Sequence, residues 1–532
     1  MTRDALGAGG GAAIVAALRA NGVRTAFGIP GTHNLEIYRY LARSGITHVL
    51  CRHEQGAAYA ADGYARSGGG IAAVIVTSGP GLLNASAGIA NAHADRVPMI
   101  VIAPVIDRGR ERRDVGWMHE VKDQRAALDA VAGWSETAAD AQDAAALVDR
   151  AFMEWRAGET RPVVINVPHD VLVNAAIVTP SDPLPAPLPA TPADEVLLAA
   201  HGILTSARTP VVVVGGGCVR GHREVRGFLE LLGAPVIATG RGKGVLPDGH
   251  PLSLGAVIGT SRARAVIEIA DAVLLIGTEL SEAELLDEPL RPIGSIIRVD
   301  RELNQLHKGA RATLPILADA ARFATAMTEL DGWDPSGESR VQAIRDAVAE
   351  EISGIAAPYA TLHEALSDAL PEDAIIVGDS SQVSYMGTTL LWRSPQPDRV
   401  LGPLGFATLG YGLPAAIGAA LANPGTAVAC VLGDGALMFS VQELSTAVDL
   451  GLSLPVVVFD NRGFGEIRDQ MNGRDIDPLG VDIDQPDFTE LGKAFGCATA
   501  VAADKNELVD AMRQSLNAGR PTVIHVRAHE FN

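Results

Sequence analysis

Short runs of apolar, mostly β-branched residues recur along the chain, and most are followed by glycines and then by an alanine-rich stretch. The runs occupy residues 47–51, 72–76, 98–102, 163–167, 211–214, 272–276, 374–377, 427–432, 455–459 and 522–526. Strands that are apolar at every position are buried on both faces, which is typical of parallel sheets covered by helices. The pattern therefore predicts an α/β fold of doubly wound parallel sheets.

Two interruptions of this pattern divide the chain. Residues 179–194 carry prolines at 180, 183, 185, 187, 189 and 192, a density that helices and central strands do not tolerate, so an extended linker is predicted there. A softer break falls at residues 331–337. The division predicts three doubly wound domains of similar size, at residues 1–180, 190–332 and 355–532.

The N-terminal residues 5–18 are apolar and superficially resemble the hydrophobic part of a signal peptide, but three consecutive glycines interrupt them. We predict a first helix over residues 12–21 instead. No apolar run reaches the ~18 residues of a membrane span. The four cysteines have no paired spacing, which favours a reducing, cytoplasmic compartment.

Composition and charge exclude two broad classes of protein. The chain has 43 Lys and Arg against 63 Asp and Glu, a net charge of −20. This balance argues against a nucleic-acid-binding protein, which needs clustered basic residues for phosphate contacts. Hydrophobic residues make up 47% of the 532 positions, so a largely disordered chain is excluded as well.

The most specific chemical signal lies in the third unit. A Gly-Asp-Gly-Ala turn at residues 433–436 follows one predicted strand, and Asn461 and Gly463 follow the next. Both groups fall at the carboxyl ends of strands, where doubly wound sheets bind ligands. A carboxylate, an amide oxygen and a backbone carbonyl suit Mg²⁺, which completes its shell with phosphate oxygens and water. The backbone N–H groups of the turn would face a diphosphate.

Glu54 is a second candidate, at the junction between the strand 47–51 and a helix predicted to reach residue 66. Its surroundings are rich in alanine, so a desolvated carboxylate is expected. The residues alone leave two interpretations open. One is a functional carboxylate, and the other is an ordinary acidic residue in the first turn of a helix, where the helix dipole favours it.

Five ordered motifs together resemble thiamine-diphosphate-dependent enzymes of the acetolactate synthase and 2-oxo-acid decarboxylase type. They are residues 27–31, 53–66, 77–84, 410–418 and 433–461, and the resemblance covers essentially the whole chain. It implies a pyrimidine-binding, a central and a diphosphate-binding domain in that order. It also implies a homodimer or homotetramer in which Glu54 of one chain faces Asp434 of another.

The resemblance implies a role for each matching residue. Glu54 is expected to activate the pyrimidine of thiamine diphosphate, and Leu409, 25 positions before Asp434, to bend the cofactor. Mg²⁺ is expected on Asp434, Asn461 and the carbonyl of Gly463. The other expected cofactor contacts are Pro30, Thr77, Asn84, Ser380, Ser381, Gln382, Thr408, Gly433, Gly435, Ala436, Phe464 and Gly465.

Residues 28–39, 118–125 and 463–468 resemble one branch of this family, the 5-guanidino-2-oxopentanoate (2-ketoarginine) decarboxylases. The implied reaction yields 4-guanidinobutanal and CO2. A guanidinium is bound best by carboxylates, for which Glu120, Asp123 and Glu466 are candidates, although all three could be surface charges. Two histidines, His33 and His119, are expected near the substrate, and Gln124 lies in the same matching segment.

Other reactions of this family remain as alternatives. An acetolactate synthase-like carboligase would condense two 2-oxo acids, but residues 118–119 are Met-His where the synthases carry Phe-Gln. Three glycines at 215–217 are a weak nucleotide signal, and residues 278–281 differ from the arginine-rich run with which synthases contact a flavin. FAD is therefore not expected. A flavin-dependent pyruvate oxidase and a non-catalytic homologue are the remaining alternatives.

Overall fold

Three parallel sheets of six strands each organise the chain. The computed structural model describes residues 9–176, 183–185, 187–285, 289–334 and 338–531. Each sheet is flanked by helices, and each contains the apolar runs of one predicted unit. The predicted α/β class, with three doubly wound parallel sheets, is confirmed.

The first sheet has the strand order β2-β1-β3-β4-β6-β5. Its strands are β1 (Thr25–Gly28), β2 (Thr47–Leu50), β3 (Ala73–Ile75), β4 (Ile100–Val105), β5 (Trp134–Thr137) and β6 (Val163–Pro168). Its helices are α1 (Gly10–Ala20), α2 (Leu35–Leu41), α3 (Glu54–Tyr64), α4 (Pro80–Ala94), α5 (Gln124–Asp129), α6 (Ala141–Ala157) and α7 (His169–Val173).

The central sheet has the order β12-β11-β10-β7-β8-β9, the arrangement common in dinucleotide-binding domains. Its strands are β7 (Pro210–Val214), β8 (Val236–Ala238), β9 (Ser253–Gly255), β10 (Ala272–Ile276), β11 (Ser295–Asp300) and β12 (Leu314–Leu317). Its helices are α8 (Asp194–Ser206), α9 (His222–Leu232), α10 (Ser261–Ile269), α11 (Glu282–Leu285), α12 (Ala320–Thr328) and α13 (Glu338–Ile355).

The third sheet has the order β14-β13-β15-β16-β18-β17. Its strands are β13 (Ile375–Gly378), β14 (Val400–Leu401), β15 (Val428–Gly433), β16 (Pro455–Asp460), β17 (Ala498–Ala502) and β18 (Thr522–Arg527). Its helices are α14 (Ala360–Ala369), α15 (Thr389–Leu391), α16 (Gly412–Ala422), α17 (Asp434–Leu437), α18 (Glu443–Asp449), α19 (Gly465–Asn472), α20 (Phe488–Ala494) and α21 (Lys505–Ser515).

Alternation along the strands supplies two apolar layers per sheet, one on each face. In β15, Cys430 and Leu432 belong to one buried cluster, whereas Ala429 and Val431 belong to the cluster on the opposite face. The first sheet is divided in the same way. Because both faces are covered, functional groups are confined to the ends of the strands.

The first and third domains of the chain pack through α3 and α16. A Cβ atom on Gly63 would lie 2.1 Å from the carbonyl oxygen of Ala415, and one on Gly418 would lie 1.9 Å from that of Ala60. Glycine is therefore required at both positions for the two backbones to approach each other this closely. The contact fixes the helix that begins at Glu54 against the third domain.

Three regions set apart by the sequence can be compared with the structure. Residues 177–182 and 186 of the proline-rich segment lie outside the described residues, and its described remainder up to 193 contains no helix or strand. The predicted first helix is α1, one to two residues earlier than expected. Beyond the predicted central unit, α13 contributes Val341 and Val348 to the central core. In the part of the chain that the structure describes, no helix is both long and apolar enough to span a membrane.

Candidate active site

Glu54 is the first residue of α3 and follows β2 closely. Its side chain is nearly buried, and Oε2 accepts a hydrogen bond of 3.0 Å from Asn84 Nδ2 on α4. Thr77, two residues after β3, has a buried hydroxyl without a hydrogen-bond partner. A Cβ on Gly81 would lie 2.9 Å from Thr77 Cγ2 and 3.1 Å from Glu54 Oε1. These four residues are the first-domain cluster, in which the unpartnered hydroxyl of Thr77 is a polar group that a ligand can bond.

Glu443 of the third domain fixes the turn that precedes Glu54. Its fully buried carboxylate accepts hydrogen bonds from the backbone N–H groups of Arg52, at 3.0 and 3.2 Å, and His53, at 2.9 Å. The hydroxyl of Thr446 donates a further bond of 2.6 Å. Burial raises the pKa of Glu443, although these hydrogen bonds oppose the shift. The start of α3 is thus held by a group that lies outside the first domain.

Three oxygen atoms converge where β15 and β16 end. Asp434 begins α17 and is almost fully buried. The amide oxygen of Asn461 points to a position 3.2 Å from Asp434 Oδ1 and 3.0 Å from the carbonyl oxygen of Gly463. Without a cation, the amide is better turned so that its nitrogen donates to both oxygens. When a cation is bound, the amide oxygen itself faces it. Oxygens 3.0 and 3.2 Å apart have the spacing of neighbouring ligands around an octahedral Mg²⁺ with bonds of ~2.1 Å. We call these residues the third-domain cluster.

The electrostatics of the third-domain cluster also favour a cation. Asp434 Oδ2 accepts hydrogen bonds from the backbone N–H of Gly463, at 2.8 Å, and from Gln485, at 2.7 Å. Burial and the neighbouring Asp460 carboxylate raise the pKa of Asp434, and a bound cation would reverse that shift. Among the described residues, no group of three or more His, Cys, Asp or Glu side chains could hold a metal. The third-domain cluster is not such a group, because Asp434 supplies its only carboxylate, and its other oxygens come from the amide of Asn461 and the carbonyl of Gly463.

The turn after β13 lies against the turn before α17. Ser381 Oγ accepts a hydrogen bond of 3.1 Å from the backbone N–H of Gly433, and the backbone N–H of Ser380 is bonded to Asp379 at 2.8 Å. A Cβ on Gly435 would lie 3.0 Å from the ring of Phe464. The cofactor contacts predicted at these turns are therefore brought to one edge of the third sheet. They are Ser380, Ser381, Gln382, Gly433, Gly435, Ala436, Phe464 and Gly465.

Glu466, on α19, accepts hydrogen bonds from three side chains at this edge. Tyr385 donates at 2.7 Å, Gln382 at 3.1 Å and Gln470 at 2.8 Å. Burial alone would raise the pKa of Glu466, but these three bonds outweigh it and hold the pKa below the usual value for glutamate. The side chain is consequently an ionised, partly buried carboxylate beside the third-domain cluster.

Both predicted histidines lie at the carboxyl edge of the first sheet. His33 is buried after β1 and stacks on Trp117, with ring centroids 4.1 Å apart. His119 lies in the segment after β4, with its ring 5.2 Å from that of His33. His169, the first residue of α7, is 5.6 Å from His33 on another side. The strand ends thus bring three imidazoles together.

The other predicted substrate residues make mainly local contacts. Gln124 is buried and bonds the Gly79 N–H at 2.9 Å, the Pro104 carbonyl at 2.9 Å and Asn166 at 2.9 Å. Glu120 accepts from the backbone N–H groups of residues 115 and 117. Asp123 caps α5 and pairs with Arg112 at 2.8 Å. All three therefore shape the segment that carries His119.

Pro30, Thr408 and Leu409 complete the predicted set. Pro30 is exposed in the turn after β1 and Leu409 is partly buried. Thr408 Oγ1 lies 2.6 Å from the hydroxyl of Tyr59 on α3. In the part of the chain that the structure describes, no hydrogen bond or ion pair joins the first-domain cluster to the third-domain cluster. One chain thus presents two separate half-sites.

Both half-sites lie in parts of the chain that match known protein families. Family models for thiamine pyrophosphate enzymes match the N-terminal TPP binding domain at residues 9–127, the central domain at 197–327 and the C-terminal TPP binding domain at 379–526. The probable 2-ketoarginine decarboxylase AruI of Pseudomonas aeruginosa is 37% identical over 97% of this chain and 93% of that relative. This chain belongs to the thiamine pyrophosphate enzyme family. The large subunit of acetolactate synthase isozyme 3 of Escherichia coli is 30% identical over 95% of this chain and 92% of its own. The chloroplastic acetolactate synthase 1 of Zea mays is 29% identical over 96% and 84%.

The central domain of this thiamine pyrophosphate enzyme borders a cavity of ≈ 260 Å³ that it shares with the other two domains. Its lining combines the glycines at 216, 217 and 277 with charged side chains, among them Arg66, Arg241, Asp300 and Asp398. Burial lowers the pKa of Arg241. The sequence-based expectation that FAD is absent remains a prediction.

Several residues of this thiamine pyrophosphate enzyme were not found from its sequence. Gln485 bonds Asp434 and Glu443 bonds the turn before Glu54, both from positions without a local motif. Ser78 and His169 did carry a usable signal, because each follows a predicted strand as Asp434 does. Trp117, which stacks on His33, belongs to a segment without helix or strand.

Proposed function

We propose that this enzyme catalyses the Mg²⁺- and thiamine-diphosphate-dependent, non-oxidative decarboxylation of a 2-oxo acid. The proposed substrate is 5-guanidino-2-oxopentanoate, and the products are 4-guanidinobutanal and CO2. The observation that carries the proposal is the pair of clusters, one centred on the buried carboxylate of Glu54 and one on converging oxygens at Asp434. The relative named as a probable 2-ketoarginine decarboxylase supports the choice of substrate.

Asp434, Asn461 and the carbonyl of Gly463 would hold Mg²⁺ in the third-domain cluster. The turn after β13, with Ser380, Ser381 and Gln382, would bind the diphosphate together with the remaining residues that the sequence predicted there. When bound, thiamine diphosphate supplies an electron sink for the bond that releases CO2. The protein contributes position and electrostatics.

Glu54 is the proposed catalytic residue. Asn84 fixes Oε2, and Gly81 leaves space beside Oε1, so the carboxyl group is oriented to share a proton with a ring nitrogen of the cofactor. The unpartnered hydroxyl of Thr77 would give the cofactor a further polar contact. Pro30, Thr408 and Leu409 would complete its surroundings.

We assign the complete site to a homodimer or homotetramer. Each chain carries half-sites that make no polar contact with one another, and Leu83, Phe406, Met438 and Phe439 beside them are exposed in the single chain. A second copy that covers these apolar residues would let Glu54 of one chain face Asp434 of the other.

The substrate's guanidinium is assigned to Glu466, because this partly buried carboxylate lies beside the third-domain cluster with its pKa held low by three hydrogen bonds, and a charged pair with guanidinium is stronger than a neutral hydrogen bond. Glu120 and Asp123 already accept backbone N–H groups of the segment that carries His119. His33 and His119 would lie near the reacting carbon, and Gln124 would act by holding that segment. Because Cys51, Cys218, Cys430 and Cys497 are all buried and free, a reducing cytoplasmic setting is consistent with the chain.

The test is CO2 release from a panel of 2-oxo acids with thiamine diphosphate and Mg²⁺ supplied, and with products identified by mass. Preference for the guanidino acid supports the proposal. Preference for pyruvate with acetolactate as the product favours the carboligase that the synthase relatives represent. A yellow protein would point to a flavin-dependent reaction instead.

Glu54→Gln tests the catalytic assignment in the same assay. We expect turnover to fall at least ~10²-fold, because proton transfer by a positioned group contributes about that much, while cofactor binding by calorimetry is retained. Glu136→Gln, at a half-exposed site on β5 in the first domain, is the control and should keep full turnover. Full turnover by Glu54→Gln would refute the assignment.

A further inference from the structure

Two imidazoles of the first domain face one serine hydroxyl. Ser78, three residues after β3, is fully buried. Its Oγ lies 2.6 Å from Nδ1 of His33 and 3.5 Å from Nδ1 of His119. Both histidines are expected near the substrate from the sequence, and the shared serine connects them. Ser78 is therefore a shared partner that no role described so far requires.

The local backbone brings the three groups together. Gly79 has φ +58°, and a Cβ there would lie 2.3 Å from the carbonyl oxygen of His119. Gln124 accepts the N–H of Gly79 at 2.9 Å. His119 itself has φ +66°, which is uncommon for a residue other than glycine. The close docking of the two segments fixes His119 against Ser78.

A hydroxyl group carries one proton, so Ser78 can donate to only one of the two Nδ1 atoms. The other ring must then donate its own Nδ1–H to the hydroxyl oxygen. If His33 accepts, His119 donates, and the reverse arrangement is the only other one that satisfies all three groups. The protonation states of the two rings at Nδ1 are therefore opposite and change together.

The surroundings of His33 make its charged form readier to give up a proton than an ordinary imidazolium. Burial, and then the neighbouring His119 and His169, lower the pKa of His33, which Asp107 opposes. Trp117 covers one ring face. His169 Nδ1 lies 3.6 Å from Asp107 Oδ1, and both side chains are about one-third exposed. Glu36 is also charged and lies close enough to His169 to interact with it electrostatically. His33 thus has a solvent-facing neighbour on one side and Ser78 on the other.

We propose that Ser78 is a proton-relay residue that couples His33 to His119. The inference rests on the proposed decarboxylation, which replaces the bond to CO2 by a bond to hydrogen and so consumes one proton. His119, the more exposed ring, gives its Nε2 proton to the substrate carbon. The Ser78 proton moves to His119 Nδ1, and the Nδ1 proton of charged His33 moves to Ser78 Oγ. The serine is unchanged, and both rings end neutral, His33 with its proton on Nε2 and His119 with its proton on Nδ1. After the product leaves, a solvent proton taken up at His119 Nε2 sends the Nδ1 proton of His119 back through Ser78 to His33 Nδ1, which restores the starting state for one solvent proton consumed.

The coupling can be tested without turnover. In protein labelled with ¹⁵N-histidine, the ring nitrogens of His33 and His119 are assigned by comparison with the single variants His33→Gln and His119→Gln. We expect one Nδ1 to be protonated and the other unprotonated at neutral pH, and Ser78→Ala to remove this difference. The same Nδ1 state in both wild-type rings would overturn the proposal, whatever reaction the enzyme catalyses.

Kinetics test whether the coupled rings move the proton. Ser78→Ala should lower kcat by about 10²-fold, the usual contribution of proton transfer by a positioned group, with KM within about threefold. It should also change the pH profile of kcat and make the solvent-isotope inventory linear. Ser78→Thr, which keeps the hydroxyl, should restore much of the rate if the added methyl group is accommodated.

Ser44→Ala is the matched control. Ser44 is also buried in the first domain, and its hydroxyl bonds only local backbone groups, the Leu41 carbonyl and the Ile46 N–H. This variant should lose stability without a change in kcat or its pH profile. An unchanged kcat in folded Ser78→Ala would overturn the relay even if the two rings remain coupled. A panel without activity on any 2-oxo acid would reject the proposed function and leave the NMR result as the test of the coupling.

Discussion

The carboxylate of Glu443 should control activity although it lies outside both clusters. It bonds the backbone N–H groups of the two residues immediately before Glu54 from a position 391 residues from Arg52 in the sequence. A Cβ on Gly56 would lie 2.5 Å from Glu443 Oε1, so the carboxylate fills the space that a side chain would take there. We predict that Glu443→Gln lowers kcat more than a loss of stability explains.

The expected size of the effect follows from these bonds. Glu443→Ala leaves the partly buried N–H groups of Arg52 and His53 without an acceptor, and each unpaired donor lowers the free energy of unfolding by about 1–3 kcal/mol. Glu443→Gln keeps one acceptor oxygen but turns an amide N–H towards the other donor. We therefore expect roughly half of the loss in free energy of unfolding that Glu443→Ala would cause. For a cooperative unit of ~150–250 residues this corresponds to a fall in Tm of about 2–12 °C. A shift of Glu54 by about 1 Å is enough to reduce kcat by up to ~10²-fold.

The assay is kcat on the best 2-oxo acid, together with Tm, for Glu443→Gln and a control. Asp319→Asn is suitable as the control because Asp319 is also a buried carboxylate that accepts a backbone N–H, from Arg322 at 3.0 Å, but in the central domain. Both variants should lose Tm, and only Glu443→Gln should lose kcat. If Glu443→Gln melts at a lower temperature yet keeps full kcat, Glu54 does not depend on this contact and the reasoning is wrong. An equal loss of kcat in the control would assign the effect to general destabilisation.

Three further outcomes are expected. Burial lowers the pKa of His363 to about 4. Because a histidine in the unfolded chain has a pKa of ~6.5, the neutral side chain stabilises the fold fully above that pH, and about 2 kcal/mol of the stabilisation is lost at pH 5. The Tm difference between wild type and His363→Gln should therefore narrow from pH 7.5 to pH 5, and parallel curves of Tm against pH would contradict this. Gly418→Ala forces a Cβ to within 1.9 Å of the Ala60 carbonyl oxygen and should lower the free energy of unfolding by about 1–3 kcal/mol. A melting curve like that of wild type would show that α3 and α16 are not packed this closely. Chelation should abolish CO2 release and Mg²⁺ should restore it, with a higher Mg²⁺ requirement in Asp434→Asn; activity that survives complete chelation would remove the metal from the proposal.

The sequence predicted what is encoded locally. The apolar runs identified the long strands, and residues directly after them, such as Asp434, were expected at sheet edges, where they lie. Short strands such as β14 gave no signal, since two residues cannot show a period. Glu443 and Gln485 could not be found in this way, because their roles arise from packing between segments that are far apart in sequence. His169 was missed although it follows a predicted strand, since a histidine after a strand is usually structural.

The two half-sites follow from one topology used twice. The first and third sheets have the same strand order when each is numbered from its own first strand, whereas the central sheet has a different order. In both sheets, polar side chains follow the first, third and fourth strands, at the carboxyl edge where doubly wound sheets bind ligands. In the first domain these ends carry His33, Ser78 and His119, and in the third they carry the turn with Ser381, then Asp434 and Asn461. The same backbone positions thus hold imidazoles and a hydroxyl in the first domain, and a hydroxyl, a carboxylate and an amide in the third. On the proposed function, the first sheet handles protons and the third binds the metal, so that the reaction needs groups from both sheets.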